Sequence, residues 1–533
     1  MKKILVGLLI FGLVLGCTPK EPENKSKTVD ELRLALADYD SENFLSETSV
    51  AYSVFPISFA TSDTDRLGDI QGIINKLDYL NDGDPNTKTD LGIEAIWLNP
   101  IYPSQTYHKY DILDYKAIDP KFGTIDDFKR LLDEAHKRGI KIILDMVFNH
   151  TAYDHPWFKA ALKGEEPYVN YYRIEEKLDL QEYPTRNAWK NADGKFYYAW
   201  FWEKMPELNL ENEAVREEIR DISKFWMDLG VDGFRFDAAK HAYYPDEYPV
   251  GTPTLEKNLQ FWMELRLFIK EQNPDFFLVS EIWDTAQNQA PYAHAYDTMF
   301  NFDFGEMVIS ALNVGNHGNL IQKHVDNVQR LTDRNPNYVD SPFLTNHDQN
   351  RVMSLFAGSV DKAKIAAGLL LTMPGLPFIY YGEELGMLGV KPDERIREPM
   401  RWNDDIASEV AYWNQWIYNW DTPNVLVQQA DENSLWTHYR DLIQLRNTYA
   451  DTFVWGDLEQ VTMKNSSVLG YYRMDDENKF LVVANFYNGP MVGEFDAEIL
   501  AKVEPLFTLG DVSIDSNKIN LSSRAMVVYR VNP

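Results

Sequence analysis

The chain has 533 residues, enough for about three domains at roughly 100–200 residues each. Hydrophobic residues make up 44%, aromatics 14% and charged residues 25%, a globular composition that excludes wholesale disorder. With 52 Lys+Arg against 82 Asp+Glu the net charge is −30, which argues against broad binding to nucleic acid or to an anionic membrane surface, since both need a positive field.

The N-terminus begins with the positive segment Met1-Lys2-Lys3, followed by a 13-residue apolar run, Ile4 to Gly16. That run is shorter than the ~20 residues a spanning helix needs, but it suits the core of a signal peptide, residues 1–16. Cys17 follows directly and is the only cysteine, so neither an intramolecular disulfide nor a multi-cysteine metal site can form. The ending Leu13-Val14-Leu15-Gly16-Cys17 resembles a bacterial lipobox, with Leu15 standing where a smaller residue is more usual. The resemblance implies acylation of Cys17 and an exported lipoprotein, at the cell surface or in the periplasm, held to the membrane through that lipid. Residues 17–46, rich in Pro, Lys, Glu, Asn and Ser, are expected to form a solvated tether.

Eight apolar runs then alternate with helical patterns: Val50–Ala60, Ile93–Pro100, Lys141–Phe148, Val231–Ala238, Phe276–Ile282, Thr298–Phe304, Pro342–Asn346 and Phe378–Tyr381. Between them Ile125–Arg138 places Phe128, Leu131, Leu132 and Ala135 on one helical face, and Asn212–Leu229 repeats the pattern before Gly230. Repeated strand–helix alternation predicts an α/β protein built on a (β/α)8 TIM barrel over residues 47–150 and 209–451. The segment 151–208, rich in Tyr, Trp, Asn and Pro, interrupts the pattern as an inserted domain. Short alternating segments after Asp451 predict a C-terminal all-β sandwich domain over 452–533.

Active sites of such barrels form at the C-terminal ends of the strands, and four runs end in polar residues. These are Asp145-Met146-Val147-Phe148-Asn149-His150, Gly233-Phe234-Arg235-Phe236-Asp237-Ala238, Ser280-Glu281-Ile282-Trp283 and Thr345-Asn346-His347-Asp348. Charged groups beyond buried strands cost free energy unless paired, so a shared site explains all four. In this order the motifs resemble the α-amylase family, glycoside hydrolase family 13, over nearly the whole chain from Val50. The insertion then resembles that family's domain B, and the β tail its domain C.

The resemblance implies a retaining hydrolase of α-1,4-glucosidic bonds in starch, maltodextrins and related α-glucans. Asp237 would be the nucleophile, Glu281 the acid and then the base, and Asp348 the third acid, which binds sugar hydroxyls. A retaining enzyme holds its two working carboxyls about 5–5.5 Å apart. Glu281 is expected to have a raised pKa, whereas Arg235, two residues before Asp237 and so on the same strand face, is expected to keep Asp237 ionised. His150, His347 and Tyr110 match residues around the sugar beside the scissile bond, and Lys240 and His241 match leaving-side contacts. Asp111 and Arg351 match residues that grip a non-reducing end in exo-acting relatives. Ala238 after the nucleophile goes with α-1,4 cleavage, but Met205-Pro206-Glu207-Leu208-Asn209 is intermediate between oligo-1,6-glucosidase and neopullulanase motifs. An α-glucosidase, neopullulanase or transglycosylase with the same residues is the alternative. A non-catalytic glycan-binding protein is disfavoured, because all three acids are present.

Ca²⁺ is the expected cofactor. Asp63, Asp65 and Asp69 alternate in a loop with Leu67 and Gly68, a pattern suited to hard oxygen ligation, with an acidic turn and a helix-capping Asp as the alternative. A second ion would lie between barrel and domain B on Asn149 and the His241 carbonyl. The aromatic stretch Tyr197–Trp202 suits either the sugar cleft or the core of domain B. The chain is expected to act as a monomer on a glucan, with no nucleic-acid partner.

Overall fold

Each of the eight apolar runs contributes one short strand to a single parallel sheet in the computed structural model, which describes residues 27–532 apart from 180–182, 184–186, 193 and 406–408. Cys17 and the apolar run before it lie outside the described residues. In chain order the strands are Ala51–Val54, Ala95–Leu98, Lys141–Met146, Gly233–Phe236, Phe277–Ser280, Thr298–Asn301, Ser341–Pro342 and Phe378–Tyr380. Each pairs in parallel with the next from first to seventh, the first also pairs with the eighth, and a Phe343–Phe378 bridge closes the ring.

The runs are continuously apolar because both faces of the sheet are buried. Ala51, Ala95, Trp97, Ile143, Phe277, Val279, Phe300 and Phe378 fill the barrel interior. Their neighbours in sequence, including Tyr52, Ile96, Ile142, Leu144, Phe234 and Leu278, face outward to the helices. At Gly233 a Cβ would come within 2.7 Å of the Phe277 carbonyl oxygen, so the close approach of the fourth and fifth strands requires glycine. The sixth run stops pairing at Asn301, whose side chain accepts the Phe304 N–H and starts the helix Phe302–Val314. The seventh run pairs only at Ser341–Pro342; the rest of it becomes loop and carries Thr345–Asn350 to the barrel mouth.

Local signals set the helices. Thr124 and Asp127 form a capping box at the start of Ile125–His136, which buries Phe128, Leu131, Leu132 and Ala135. Asn212 caps Glu213–Leu229, and Gly230 ends it in the left-handed conformation at φ 100°. Among the described residues no helix is long and apolar enough to cross a membrane.

The tether expected over 17–46 is corrected by the fold from Thr28 onward. Thr28 and Glu31 form a capping box at the head of the helix Val29–Leu36, whose Leu32 and Leu36 are buried against the helix Thr254–Gln272. In the next turn, Glu42–Leu45, the Phe44 ring stacks on Phe277 at 4.3 Å and joins the barrel-interior cluster. Phe277 opens the fifth strand, so Phe44 plugs the N-terminal end of the barrel. A polar average over the segment hides these few apolar anchors.

The inserted segment holds a small antiparallel sheet, Ile174–Glu175, Lys195–Tyr198 and Trp189–Ala192, and its neck is pinned by isolated bridges from His150 to Glu207 and from Tyr172 to Leu208. After the barrel come a five-stranded and a three-stranded antiparallel sheet, packed around Val468, Leu481, Val483, Phe495, Ile519 and Val527. Arg473 ties them to the barrel. Its buried guanidinium donates to the carbonyls of Thr372, Thr452, Phe453 and Gly456 at 2.6–3.1 Å.

Candidate active site

Arg235 lies at the centre of the barrel mouth, fully buried on the fourth strand. Its Nη1 donates to Asp145 Oδ1 at 2.8 Å and to Asp237 Oδ1 at 2.7 Å, and its Nη2 donates to Glu281 Oε2 at 2.6 Å. One cation thus serves three carboxylates from the ends of the third, fourth and fifth strands. Asp145 is further satisfied by Trp97 Nε1 and by the Tyr110 hydroxyl, each at 3.1 Å. Asp237 and Glu281 are the members that reach solvent, with side chains 12% and 11% exposed against 0% for Arg235 and Asp145.

Ala238 follows in the left-handed region at φ 46° and donates its N–H to Glu281 Oε2 at 3.2 Å. This tight turn lets the chain leave the strand immediately after Asp237, holding the acid at the strand tip beside Glu281. The positive φ costs conformational energy at a non-glycine residue, a cost typical of functional turns.

On the other side of the mouth, Asp348 Oδ1 accepts from Arg397 Nη2 at 2.7 Å, and its Oδ2 lies 3.2 Å from His347 Nε2. His347 Nε2 also meets the Tyr110 hydroxyl at 2.7 Å, and the two rings lie parallel with centroids 5.6 Å apart. Tyr110 thus links Asp145 to His347 by hydrogen bonds, and His347 Nε2 lies beside Asp348. Arg397 is fixed in turn by the His347 carbonyl, Asp393 and the Tyr107 hydroxyl.

Burial pushes both Asp237 and Glu281 up to about 7 against the pull of Arg235, with Asp145 and Asp348 adding to the rise at Asp237, and Asp237 and Asp348 to that at Glu281. The expectation that Arg235 holds Asp237 in the ordinary ionised range is thereby corrected: the guanidinium is divided among three acids and cannot offset their burial. Burial also raises Asp145, to about 6. Asp348 differs: burial raises it, but His347, Arg397 and Arg235 together outweigh burial and hold it below the usual range. His347 is pushed down to about 3 and His150 to about 4 by burial, so both are neutral donors or acceptors at neutral pH.

The remaining expected residues fall into two groups. His150 sits just beyond the third strand with Nε2 buried and without a hydrogen-bond partner among the described residues, facing the Phe201 ring at 5.6 Å. His241 packs between Trp200, Phe201 and Tyr244, and Lys240 pairs with Asp284 at 2.6 Å. Arg351 does not reach the site. It is buried against Tyr380 and Tyr381, with Nε and Nη1 committed to the carbonyls of Ile396 and Tyr381. Asp111 is likewise committed, to the hydroxyls of Ser104 and Thr106 within its own loop. The cation that does reach Asp348 is Arg397, which sequence reasoning missed because it lies in the charged stretch Asp393–Arg397 beyond the last strand. Asp145 was also unassigned, although an acid inside the apolar run Ile142-Ile143-Leu144 marks it. The aromatic stretch divides: Tyr197 and Tyr198 are buried in domain B, whereas Trp200, Phe201 and Trp202 are 37%, 46% and 39% exposed.

Among the described residues no group of three or more His, Cys, Asp or Glu side chains is placed to hold a metal ion. In the acidic loop, Asp63 and Asp65 each accept a backbone N–H, and Asp69 caps the helix Ile70–Asn75 through Oδ1 while its Oδ2 accepts from Ser62. The three remain close enough that burial, Asp63 and Asp69 raise the Asp65 carboxyl. At the joint with domain B, Glu207 is buried with Oε1 on the Trp200 N–H and Oε2 unpartnered, and burial pushes it up to about 8. Asn149 is its neighbour and offsets part of that rise.

Residues 53–456 match the family model described as alpha amylase, catalytic domain. The chain is 38% identical to Alpha-amylase 3 of Dictyoglomus thermophilum, an alignment covering 91% of this chain and 93% of that protein. It is 32% identical to a 4-alpha-glucanotransferase of Thermotoga neapolitana over 84% of this chain and 97% of that one. The fold superposes on the crystal structure of an alpha-amylase from H. orenii with a TM-score of 0.83 and 37% identity, covering 91% of this chain and all of the other. A barrel with its acids gathered on one buried arginine, matched along its length to these enzymes, places the chain in the α-amylase family of glycoside hydrolases.

Proposed function

We propose that the protein hydrolyses α-1,4-glucosidic bonds in starch-type α-glucans with retention of configuration. The observation that carries this reading is the placement of Asp237 and Glu281 on adjacent nitrogens of one guanidinium, at 2.7 and 2.6 Å. A shared guanidinium keeps the two carboxyls close, which suits the short separation (about 5–5.5 Å) of a double displacement better than the wider gap of inverting enzymes.

The residues divide the work by their environments. Asp237 Oδ1 and Glu281 Oε2 face Arg235, which leaves Oδ2 and Oε1 to react. Two carboxyls that disfavour simultaneous ionisation hold one proton between them near neutral pH. With that proton on Glu281, ionised Asp237 attacks the anomeric carbon as the Glu281 proton moves to the leaving oxygen. The glycosyl–Asp237 ester forms and the C–O bond to the leaving sugar breaks. Glu281, now ionised, takes a proton from water, which attacks the same carbon and releases Asp237. Asp348 stays ionised beside Arg397 and accepts from sugar hydroxyls, which stabilises the positive charge that develops on the ring. His150 and His347, both neutral, contribute hydrogen bonds without adding charge.

Transfer to a second sugar in place of water uses the same ester, and the similarity to a glucanotransferase supports this as the second reading. The family commonly carries calcium, and the crowded carboxylates of Asp63, Asp65 and Asp69, with the Leu67 carbonyl, have the hard-oxygen chemistry that Ca²⁺ takes. Such an ion would hold the loop in shape and takes no part in the chemistry above. The lipobox-like sequence before Cys17 supports an exported, lipid-anchored protein, and the net charge of −30 supports a neutral polysaccharide partner over an anionic one.

Incubation with starch, pullulan, maltotriose and isomaltose tests the substrate class. Products from starch and maltotriose are expected, sugars longer than the substrate in the maltotriose digest would reveal transfer, and no product from any of the four would refute the reading. Asp237→Asn and Glu281→Gln should each lower turnover of starch by orders of magnitude without lowering the melting temperature; full activity in either variant would overturn the assignment. Adding Ca²⁺ to chelator-treated protein should raise the melting temperature, and Asp65→Asn should remove that rise; equal melting with and without Ca²⁺ would discard the ion. Cys17→Ala should move the protein from the membrane fraction to the soluble one, and unchanged membrane association would contradict the anchor.

A further inference from the structure

The loop 410–420, which follows the eighth strand, is built only of apolar, aromatic and amide residues: Val410-Ala411-Tyr412-Trp413-Asn414-Gln415-Trp416-Ile417-Tyr418-Asn419-Trp420. Its inward rings are fully engaged. Trp413 stacks on Tyr107 at 4.7 Å and donates to Ser58 Oγ at 2.7 Å, and Trp416 donates to the Pro399 carbonyl while its ring covers Arg401. Its outward side chains are not. Trp420 is 68% exposed, Ile417 52% and Tyr418 38%, three large apolar groups within four residues.

The loop is held rigidly in this arrangement. Glu398 is fully buried beneath it, and its carboxylate accepts the backbone N–H groups of Ile417, Tyr418 and Asn419 at 2.8–3.2 Å, with the Asn419 amide at 2.9 Å. Burying a carboxylate is costly, and here it is offset by three bonds that fix the backbone under the exposed rings and by the Asn419 amide. Asn419 adds a two-way amide bond to Leu388. A merely tolerated surface loop needs no such anchor. The same loop also borders the active site: Asp348 is held by Arg397, Arg397 donates to the Tyr107 hydroxyl, and Tyr107 stacks on Trp413.

We infer that Tyr418 and Trp420 form a second α-glucan-binding platform on this loop, beside the catalytic cleft and separate from it. The inference rests on the α-glucan reading above. Rigid aromatic faces stack on the apolar C–H faces of sugar rings, and the exposed Gln415 amide suits sugar hydroxyls. The loop carries no charged residue, so the complementary partner is a neutral polymer, and the acidic protein surface excludes an anionic one. Docked there, a long chain is kept at the enzyme between cleavage events, which raises its effective concentration at the cleft, whereas a trisaccharide gains nothing.

The test is affinity electrophoresis in gels containing amylopectin, alongside maltotriose turnover, for the wild type, Trp420→Ala and Tyr418→Ala/Trp420→Ala. Retardation by amylopectin should weaken about fivefold or more in the double variant. Its kcat/KM on maltotriose should stay within about twofold of the wild type and its melting curve should not move. Unchanged retardation in the double variant would overturn the platform. An equal loss of maltotriose turnover would also overturn it, by making the loop part of the cleft. If the wild type acts on no α-glucan at all, the functional reading fails instead, and the two failures are distinguishable.

Discussion

The interaction on which this structure depends is the division of one buried guanidinium among three carboxylates. Arg235 has no exposed surface and bonds Asp145, Asp237 and Glu281 together at 2.6–2.8 Å. A single ion pair of this kind would depress the acid and leave it inert. Sharing one positive charge among three desolvated acids has the opposite result, because the Coulombic gain per acid falls below the cost of burying it. Asp145, with two further donors, takes the largest share of hydrogen bonds, and the pair that reaches solvent retains a proton near neutral pH. The acid–base poise of the site thus follows from counting charges around Arg235.

The same arrangement limits stability. Asp145, Asp237 and Glu281 titrate in the folded protein at about 6 to 7, above the ~4 of unfolded carboxyls. Groups raised in this way contribute stability that is complete below the unfolded value and is lost as pH rises through the folded one. The site is therefore strained where it works, near neutral pH, and the surrounding fold must hold it. It does so through the closed ring of strands, the Phe44 plug at the far end and the carbonyl cage of Arg473 that docks the C-terminal sheets.

Much of the architecture was legible because each barrel strand is buried on two faces and so writes an unbroken apolar run. Helices announced themselves by apolar residues recurring on one face, as in Ile125–Arg138 and Asn212–Leu229, the latter stopped by Gly230. The acids Asp237, Glu281 and Asp348 were legible because each breaks an apolar run at a strand end. What escaped depends on long-range contact. Arg351 and Arg397 are both cations beyond strand ends, and only the fold shows that the first serves backbone carbonyls and the second serves Asp348. Leu32, Leu36 and Phe44 are isolated apolar residues in a polar segment, visible only through what they bury against. The division of Tyr197–Trp202 between domain B core and open surface is likewise a property of the folded neck, not of the stretch itself.

The central claim is that Asp237 and Glu281 share one proton, with Glu281 as its catalytic holder. The pH dependence of kcat/KM tests it most directly, using an α-glucosyl substrate whose leaving group needs no acid, such as an aryl or fluoride glycoside, on the wild type and on Glu281→Gln. Wild-type activity on a natural glucan should follow a bell, falling on the acid side as Asp237 takes a proton and on the alkaline side as Glu281 loses its own. In Glu281→Gln, with the activated substrate, the acid limb should remain and the alkaline limb should vanish. An alkaline limb that persists in that variant would contradict the account.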